Sequence, residues 1–411
     1  MNYLIEIVAL VISFILVMLS VPPILRVARV KELFEPFGIR KVHKQLVPPL
    51  GGIAIFISFI ISTIITTDGS SLVLLKYIIA SVVLVFFVGL KDDLVTISAR
   101  KKLVVQVAAA IILIVLGNIR FTNFHGILGI YDIDYITSLI VSLFAMIVIT
   151  NAFNLVDGVD GLASGLAMLA ATVLGVWFYL AGYYQLSIIS FALIGSLAGF
   201  FLFNVFGNSN KLFMGDSGSL IIGIVISTLI IQFNELNIVK TTPFAIGAAP
   251  AVSFAIIIVP LIDTLRVMAI RISKNKSPFL PDKNHMHHRL LELFENHLKV
   301  TVTLVSVNGL LIVFALFLND MSFNINLQIL TLFLAGIGLS VLPSILLKAK
   351  TSSEKISIEL DEQTVNIVPE TIFLDSYHNK KKKKTIYNMQ QYKSKINEKN
   401  KQISFVEKIA K

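Results

Sequence analysis

The chain has 411 residues, of which 55% are hydrophobic and only 15% charged, and its mean hydropathy is +0.83. Soluble domains carry about a quarter charged residues, so this composition excludes an ordinary water-soluble fold and places the chain in a bilayer. The net charge of +10 comes with no nucleic-acid-binding motif, and its bases fall between apolar runs and in the tail, which fits a lipid surface and no nucleic acid. With no cysteine, disulfides and thiolate metal sites are excluded, and any metal would need oxygen or imidazole ligands.

A bilayer core of about 30 Å takes roughly 20 apolar residues per helix. In chain order the candidate cores are Leu4–Leu19, Leu50–Ile65, Leu72–Leu90, Leu103–Leu116, Ile136–Phe153, Leu162–Leu180, Leu186–Val205, Ser217–Phe233, Phe244–Ile262, Val300–Leu318 and Ile325–Leu347. The first carries Glu6 and runs into Pro22-Pro23 rather than a small-residue cleavage site, so it is expected to be a helix and not a signal peptide. The expected fold is an all-α polytopic membrane protein with about 11 transmembrane helices and catalytic cytoplasmic loops. Residues 1–347 would form the transmembrane catalytic domain. Residues 348–411, which include the run Lys380 to Lys384, would form a polar, largely disordered cytoplasmic tail.

The loops after the odd-numbered runs hold 18 Lys and Arg, whereas the opposite loops hold only Arg120 and Lys240. The positive-inside rule then puts the N-terminus outside and the odd loops and the tail in the cytoplasm. On that same face lie Asp92-Asp93, the stretch Asn151 to Gly161 with Asn154, Asp157 and Asp160, the stretch Phe213 to Ser219 with Asp216, and Asp282 to Arg289. Only Lys and Arg entered the orientation, so the agreement is independent and points to one site.

Carboxylates at a membrane boundary are costly unless they coordinate, pair or face water. Oxygen ligands without cysteine select Mg²⁺, with Mn²⁺ as substitute, and Mg²⁺ is commonly held by one or two carboxylates together with substrate phosphates. Five carboxylates exceed the need of one ion, leaving some for substrate contact, proton handling, helix capping or pairing with nearby lysines. Gly158, Gly161, Gly215 and Gly218 interleave with these acids; they suit either close backbone approach to a phosphate or close helix packing. Phe213 reads by pattern as a lipid-interface aromatic, and otherwise as a flat surface for a base. His285, His287 and His288 beside Arg289 form a cationic, hydrogen-bonding patch. Zinc has no HExxH spacing to support it, so anion binding is the simpler reading. Lys44, in the basic first loop, could contact phosphate, although positive-inside topology alone would place it there.

Taken together, these motifs resemble the polyprenyl-phosphate N-acetylhexosamine-1-phosphate transferases. Asp92-Asp93 with Ala99 to Lys102 is similar to the first aspartate motif, Asn151 to Ala163 to NxxNxxDGxDGLA, and Phe213 to Ser219 to FMGDxGS. His285 to Leu290 resembles the HxHHRL form of the GlcNAc-1-phosphate branch rather than the peptidoglycan translocases. The resemblance implies UDP-GlcNAc as donor, undecaprenyl phosphate as acceptor, UMP as product and an Mg²⁺ cofactor in a bacterial cytoplasmic membrane, with a homodimer as the one protein assembly considered. It further implies Asp216 at the metal, Asp92 at the acceptor phosphate, Asp93 assisting the metal or Lys102, Asn154, Asp157, Asn204 and Phe213 at the nucleoside end, and His285, His287, His288 and Arg289 at the diphosphate or sugar; Lys44 and Asp160 are further substrate-binding candidates. Rival readings are transfer of MurNAc-pentapeptide phosphate, an ion-coupled transporter and a non-catalytic UDP-sugar receptor.

Overall fold

The computed structural model describes residues 4–33, 47–68, 72–239, 243–275 and 285–367, without side chains at 72–73 and 351–367. Lys44, Asp282 and the tail beyond residue 367 lie outside the described residues. Residues Met1–Leu347 cluster as one compact unit and Lys348–Lys411 as a second.

The apolar runs of the sequence fall largely on helix; the ninth, Phe244–Ile262, becomes helical only at Ala249 and breaks at Ile257. The helices are α1 (Ile5–Val30), α2 (Gly51–Thr66), α3 (Leu72–Leu94), α4 (Ala99–Ile111, continued as π-helix over Ile112–Leu116), α5 (Tyr135–Val156), α6 (Leu162–Leu180) and α7 (Tyr184–Phe206). They continue with α8 (Gly215–Leu236), α9 (Ala249–Ile256), α10 (Ile258–Ser273), α11 (Met286–Phe294), α12 (His297–Asp320) and α13 (Ile325–Ile367). Among the described residues eight helices are long and apolar enough to cross a membrane, or nine if α9 and α10, bent by 75°, make one broken span. The chain is therefore a predominantly helical, multi-pass membrane protein.

The bundle is organised around α8, which packs on α2, α3, α5 and α6 and is the most buried of the spans. Small residues allow the close approaches that apolar lipid cannot drive by hydrophobicity. A Cβ at Gly223 would run into Thr150 of α5, one at Gly89 of α3 into the backbone of Ser217, and Ser58 of α2 donates to Ser196 of α7 at 2.9 Å. In contrast, α1, α12 and α13 carry exposed Leu19, Leu310, Val313 and Leu334, the expected dress of a surface that meets acyl chains.

The α9–α10 break has a local cause. Pro260 has no N–H for the carbonyl of Ile256, so a continuous helix would leave an unpaired polar group in the membrane. Asn308 of α12 takes over: its Nδ2 donates to Ile256 O at 3.0 Å and to Ala255 O at 3.3 Å, and its Oδ1 accepts from Val259 N at 3.2 Å. The broken backbone is thus satisfied by one buried side chain.

At the C-terminal end of α8, a hairpin of β1 (Asn123–Ile127) and β2 (Ile130–Asp132) pairs Asn123 with Asp132 and Ile127 with Ile130. It docks through Thr122, whose N–H and hydroxyl donate to Glu235 at 2.7 and 2.6 Å. With 22 residues in α8 at about 1.5 Å each, this hairpin lies a membrane thickness from the motif-bearing ends.

Candidate active site

The C-terminal turn of α3, the start of α4, the end of α5 and the start of α8 meet at one end of the bundle. Asp92 and Asp93 sit in the last turn of α3, where the helix dipole disfavours negative charge; each is compensated by a neighbouring helix start. Asp93 caps α8, accepting from Asp216 N at 2.6 Å, Ser217 N at 3.0 Å and Ser217 Oγ at 2.6 Å. Asp92 accepts from Ile97 N at 2.8 Å through Oδ1 and faces Lys102 Nζ at 3.4 Å through Oδ2.

Lys102, from the first turn of α4, is the hub. Its ammonium pairs with Asp216 Oδ2 and lies 3.4 Å from both Asp92 Oδ2 and Asn154 Oδ1. Asn154 in turn donates to Asp216 Oδ1 at 2.6 Å and Ser219 Oγ at 2.8 Å. Asp216 lies in the first turn of α8, where unpaired amides and the dipole favour an anion. Two carboxylates and an amide oxygen from three helices thus surround one cationic group. All the acceptors are hard oxygens, so this donor set fits a divalent cation such as Mg²⁺ with Asp216 as a ligand.

Gly215 makes the Asp93 cap possible. Its φ is +73°, and a Cβ there would stand 2.6 and 2.7 Å from the Asp93 oxygens and 2.5 Å from Pro49 O. The preceding loop is fixed by backbone pairing, with Phe213 N donating to Pro48 O at 3.0 Å and the amides of Gly51 and Gly52 donating to Phe213 O and Met214 O at 2.8 and 2.9 Å. Phe213 is half-buried at this rim, with Lys211 5.8 Å from its ring centre.

Asp157 ends α5. Burial holds its carboxyl well above the usual carboxylate range, reinforced by the negative charges of Asp216, Asp93 and Asp160. The neighbouring residues have been given other work. Asp160 pairs with Lys211 at 2.5 Å, its N–H donates to His297 Nδ1 at 3.2 Å, and its carbonyl accepts from Thr301 at 2.8 Å. Asn204, expected at the nucleoside, is buried and uses both ends of its amide on backbone: Gly161 N donates to its Oδ1 at 2.6 Å and its Nδ2 donates to Leu212 O at 2.9 Å. Asn204 braces the Asp157–Gly161 loop against the segment that leads to Phe213. Lys102 sits between Asp92 and Asp216, while Asp93, expected to assist the metal or Lys102, makes its hydrogen bonds to the α8 cap.

The histidine segment approaches the same loop from α11. A Cβ at Gly158 would lie 3.2 Å from His287 Nε2 and 3.3 Å from His288 Cε1. His285 and His287 are buried, His288 and Arg289 half-buried, and Arg289 lies 3.8 Å from Glu292. What holds the segment is a residue absent from the motif, Asp263 of α10, which accepts from Met286 N at 2.6 Å and meets His287 Nδ1 at 2.9 Å and His285 Nδ1 at 3.4 Å. Asp263, His285 and His287 are also the one trio of acidic and imidazole groups, among the described residues, with ligand atoms within 4.8 Å of one another. The signal for Asp263 was a single acid at the end of an apolar run. Lys211 and His297 gave no comparable signal.

Residues 75–234 match the model of glycosyl transferase family 4. The chain is 32% identical over 269 residues to an undecaprenyl-phosphate alpha-N-acetylglucosaminyl 1-phosphate transferase of Escherichia coli O157:H7, covering 65% of this chain and 71% of that protein. It is 30% identical to the same-named protein of Yersinia pestis, over 63% of this chain and 69% of the relative. In Bacillus subtilis (strain 168), a "probable undecaprenyl-phosphate N-acetylglucosaminyl 1-phosphate transferase" is 29% identical, over 74% and 82%. Fold and site thus define a membrane-embedded transferase. The chain belongs to glycosyl transferase family 4.

Proposed function

We propose that this protein transfers GlcNAc 1-phosphate from UDP-GlcNAc to undecaprenyl phosphate, releasing UMP and starting a lipid-linked cell-surface glycan. One observation carries the reading: Lys102 joins Asp92 of α3 and Asp216 of α8 at one membrane-boundary site, in a chain whose relatives are named for this reaction. In the reaction an oxygen of the acceptor phosphate bonds to the donor's sugar-bearing phosphorus, the bond from that phosphorus to the UMP oxygen breaks, and UMP leaves with the electron pair. A phosphate monoester with a second pKa near 6 is mostly dianionic at pH 7, so no strong base is needed and direct attack is favoured over an aspartyl-phosphate.

Asp92, held by Ile97 N, orients the acceptor. Lys102 offsets charge on the transferring phosphoryl group and bridges Asp92 and Asp216. Asp216 and Asn154 would hold Mg²⁺, or Mn²⁺ in its place, and the bound ion would neutralise the donor diphosphate. Asp157 and Phe213 bind the nucleoside end, and the rim of His287, His288 and Arg289 takes the phosphates or sugar. Asp93, Asp160 and Asn204 act as braces. Counting α2, α4 with its π-helical extension and the bent α9–α10 pair beside the eight long helices gives eleven spans, with the N-terminus outside and the site in the cytoplasm. That one-sided placement disfavours a transporter, whose acids would lie near mid-span.

A donor panel tests the assignment. Purified protein in lipid with undecaprenyl phosphate is expected to release UMP from UDP-GlcNAc at least tenfold faster than from UDP-MurNAc-pentapeptide. The reverse preference would move it to the peptidoglycan reaction, and no UMP from any UDP-hexosamine would refute the transferase reading.

A further inference from the structure

Asp263 is 1% exposed and lies in α10, just past the membrane break. A carboxylate so buried costs several kcal/mol unless its oxygens are hydrogen-bonded. Its Oδ1 takes the amide of Met286 at 2.6 Å, the first residue of α11, and its Oδ2 faces His287 Nδ1 at 2.9 Å and His285 Nδ1 at 3.4 Å. One carboxylate therefore fixes both the start of the histidine helix and the buried His287 imidazole.

The chemistry of this contact sets the proton. An ionised carboxylate only accepts, so the 2.9 Å contact requires the hydrogen to sit on His287 Nδ1. In the neutral ring Nε2 is then left with its lone pair outward. That Nε2 is buried without a hydrogen-bond partner among the described residues, and it stands 3.2 Å from the place a Gly158 Cβ would occupy. A buried nitrogen left without a hydrogen-bond partner is costly, and this one abuts the loop between Asp157 and Asp160. The other edge of the imidazole is spoken for, so this edge is the functional one.

We propose that Asp263 is a positioning residue that locks His287 with its proton on Nδ1 and presents Nε2 to the sugar-nucleotide at the Gly158 loop. The proposal rests on the transferase reading above for the identity of that ligand. It accepts a hydroxyl of the donor in the neutral ring and donates to the diphosphate when the ring is charged; in both states Asp263 fixes its direction. Asp263→Asn preserves size and can still accept from Met286 N, but its amide nitrogen cannot accept from Nδ1–H, so the ring must adopt the opposite tautomer or turn.

Two measurements test this. In protein labelled with ¹⁵N-histidine and held in lipid nanodiscs, the His287 signals, assigned by their loss in His287→Gln, are expected to show a protonated Nδ1, with the proton moved to Nε2 in Asp263→Asn. An unprotonated Nδ1 in the wild-type protein overturns the proposal. This spectrum needs neither turnover nor a folded variant of Asp263, so it separates failure of the proposal from failure of the assigned reaction. In steady-state UMP release, Asp263→Asn is expected to lower kcat/KM for UDP-GlcNAc by about 10- to 100-fold, the usual cost of losing a partner that orients an imidazole, while changing it less than about twofold in a His287→Gln background. Wild-type kinetics in Asp263→Asn, or an equal loss in both backgrounds, contradicts action through His287.

Discussion

The aspartate cluster and the histidine segment border the same loop yet are built by different rules. In the first, Asp92, Lys102, Asn154 and Asp216 come from four helices and bond to one another, so each functional group is another's support. In the second, the motif residues hardly support themselves: His285, Met286 and His287 hang from Asp263, a residue outside the motif. A network of mutual partners tolerates no single loss without leaving a charge unpaired. A segment hung from one anchor can be detuned through that anchor while the fold persists.

The contrast can be broken at the glycines that serve each region. Gly215→Ala is the larger perturbation. The left-handed backbone costs about 1–2 kcal/mol for a residue with a Cβ, and the methyl group would collide with both Asp93 oxygens and Pro49 O, adding about 1–3 kcal/mol of overpacking. Thermal unfolding in detergent is expected to shift down, and turnover to fall at least about 100-fold because the cap that aims Asp216 moves. Wild-type stability would mean that the cap is not under this constraint. Gly158→Ala is the smaller one. Its methyl group would press His287 and His288 by only a few tenths of an ångström, so unfolding should be unchanged and KM for the sugar-nucleotide raised roughly three- to tenfold. A change confined to kcat would detach the histidines from donor binding.

The two regions were also unequally legible in the sequence. The aspartate motifs announce themselves because their residues are close in the chain and sit at helix ends, where charge needs a reason. The apolar runs lie largely on helices, the start of the ninth before Ala249 excepted, since bilayer length and hydrophobicity are local properties. What could not be read was partnership at a distance. Lys102 meets Asp216 across 114 residues, and nothing local says that Asp93 would turn to the α8 cap while Asp92 turns to Lys102. Asn204 was placed at the nucleoside by the resemblance alone; that its buried amide bridges two backbone segments was not legible locally. Asp263 stands 24 residues from His287, as a lone acid after an apolar run.

The central claim is that the site joining Asp92, Lys102, Asn154 and Asp216 performs a cation-assisted phosphoryl transfer. The most direct measurement is UMP formation from UDP-GlcNAc and undecaprenyl phosphate by purified protein in lipid, across a titration of Mg²⁺ and in the Asp216→Asn variant. The account predicts no UMP with EDTA, recovery with Mg²⁺ or Mn²⁺, and a fall on the order of 10³-fold in a folded Asp216→Asn protein. Equal turnover with and without EDTA, together with wild-type turnover in Asp216→Asn, would contradict it.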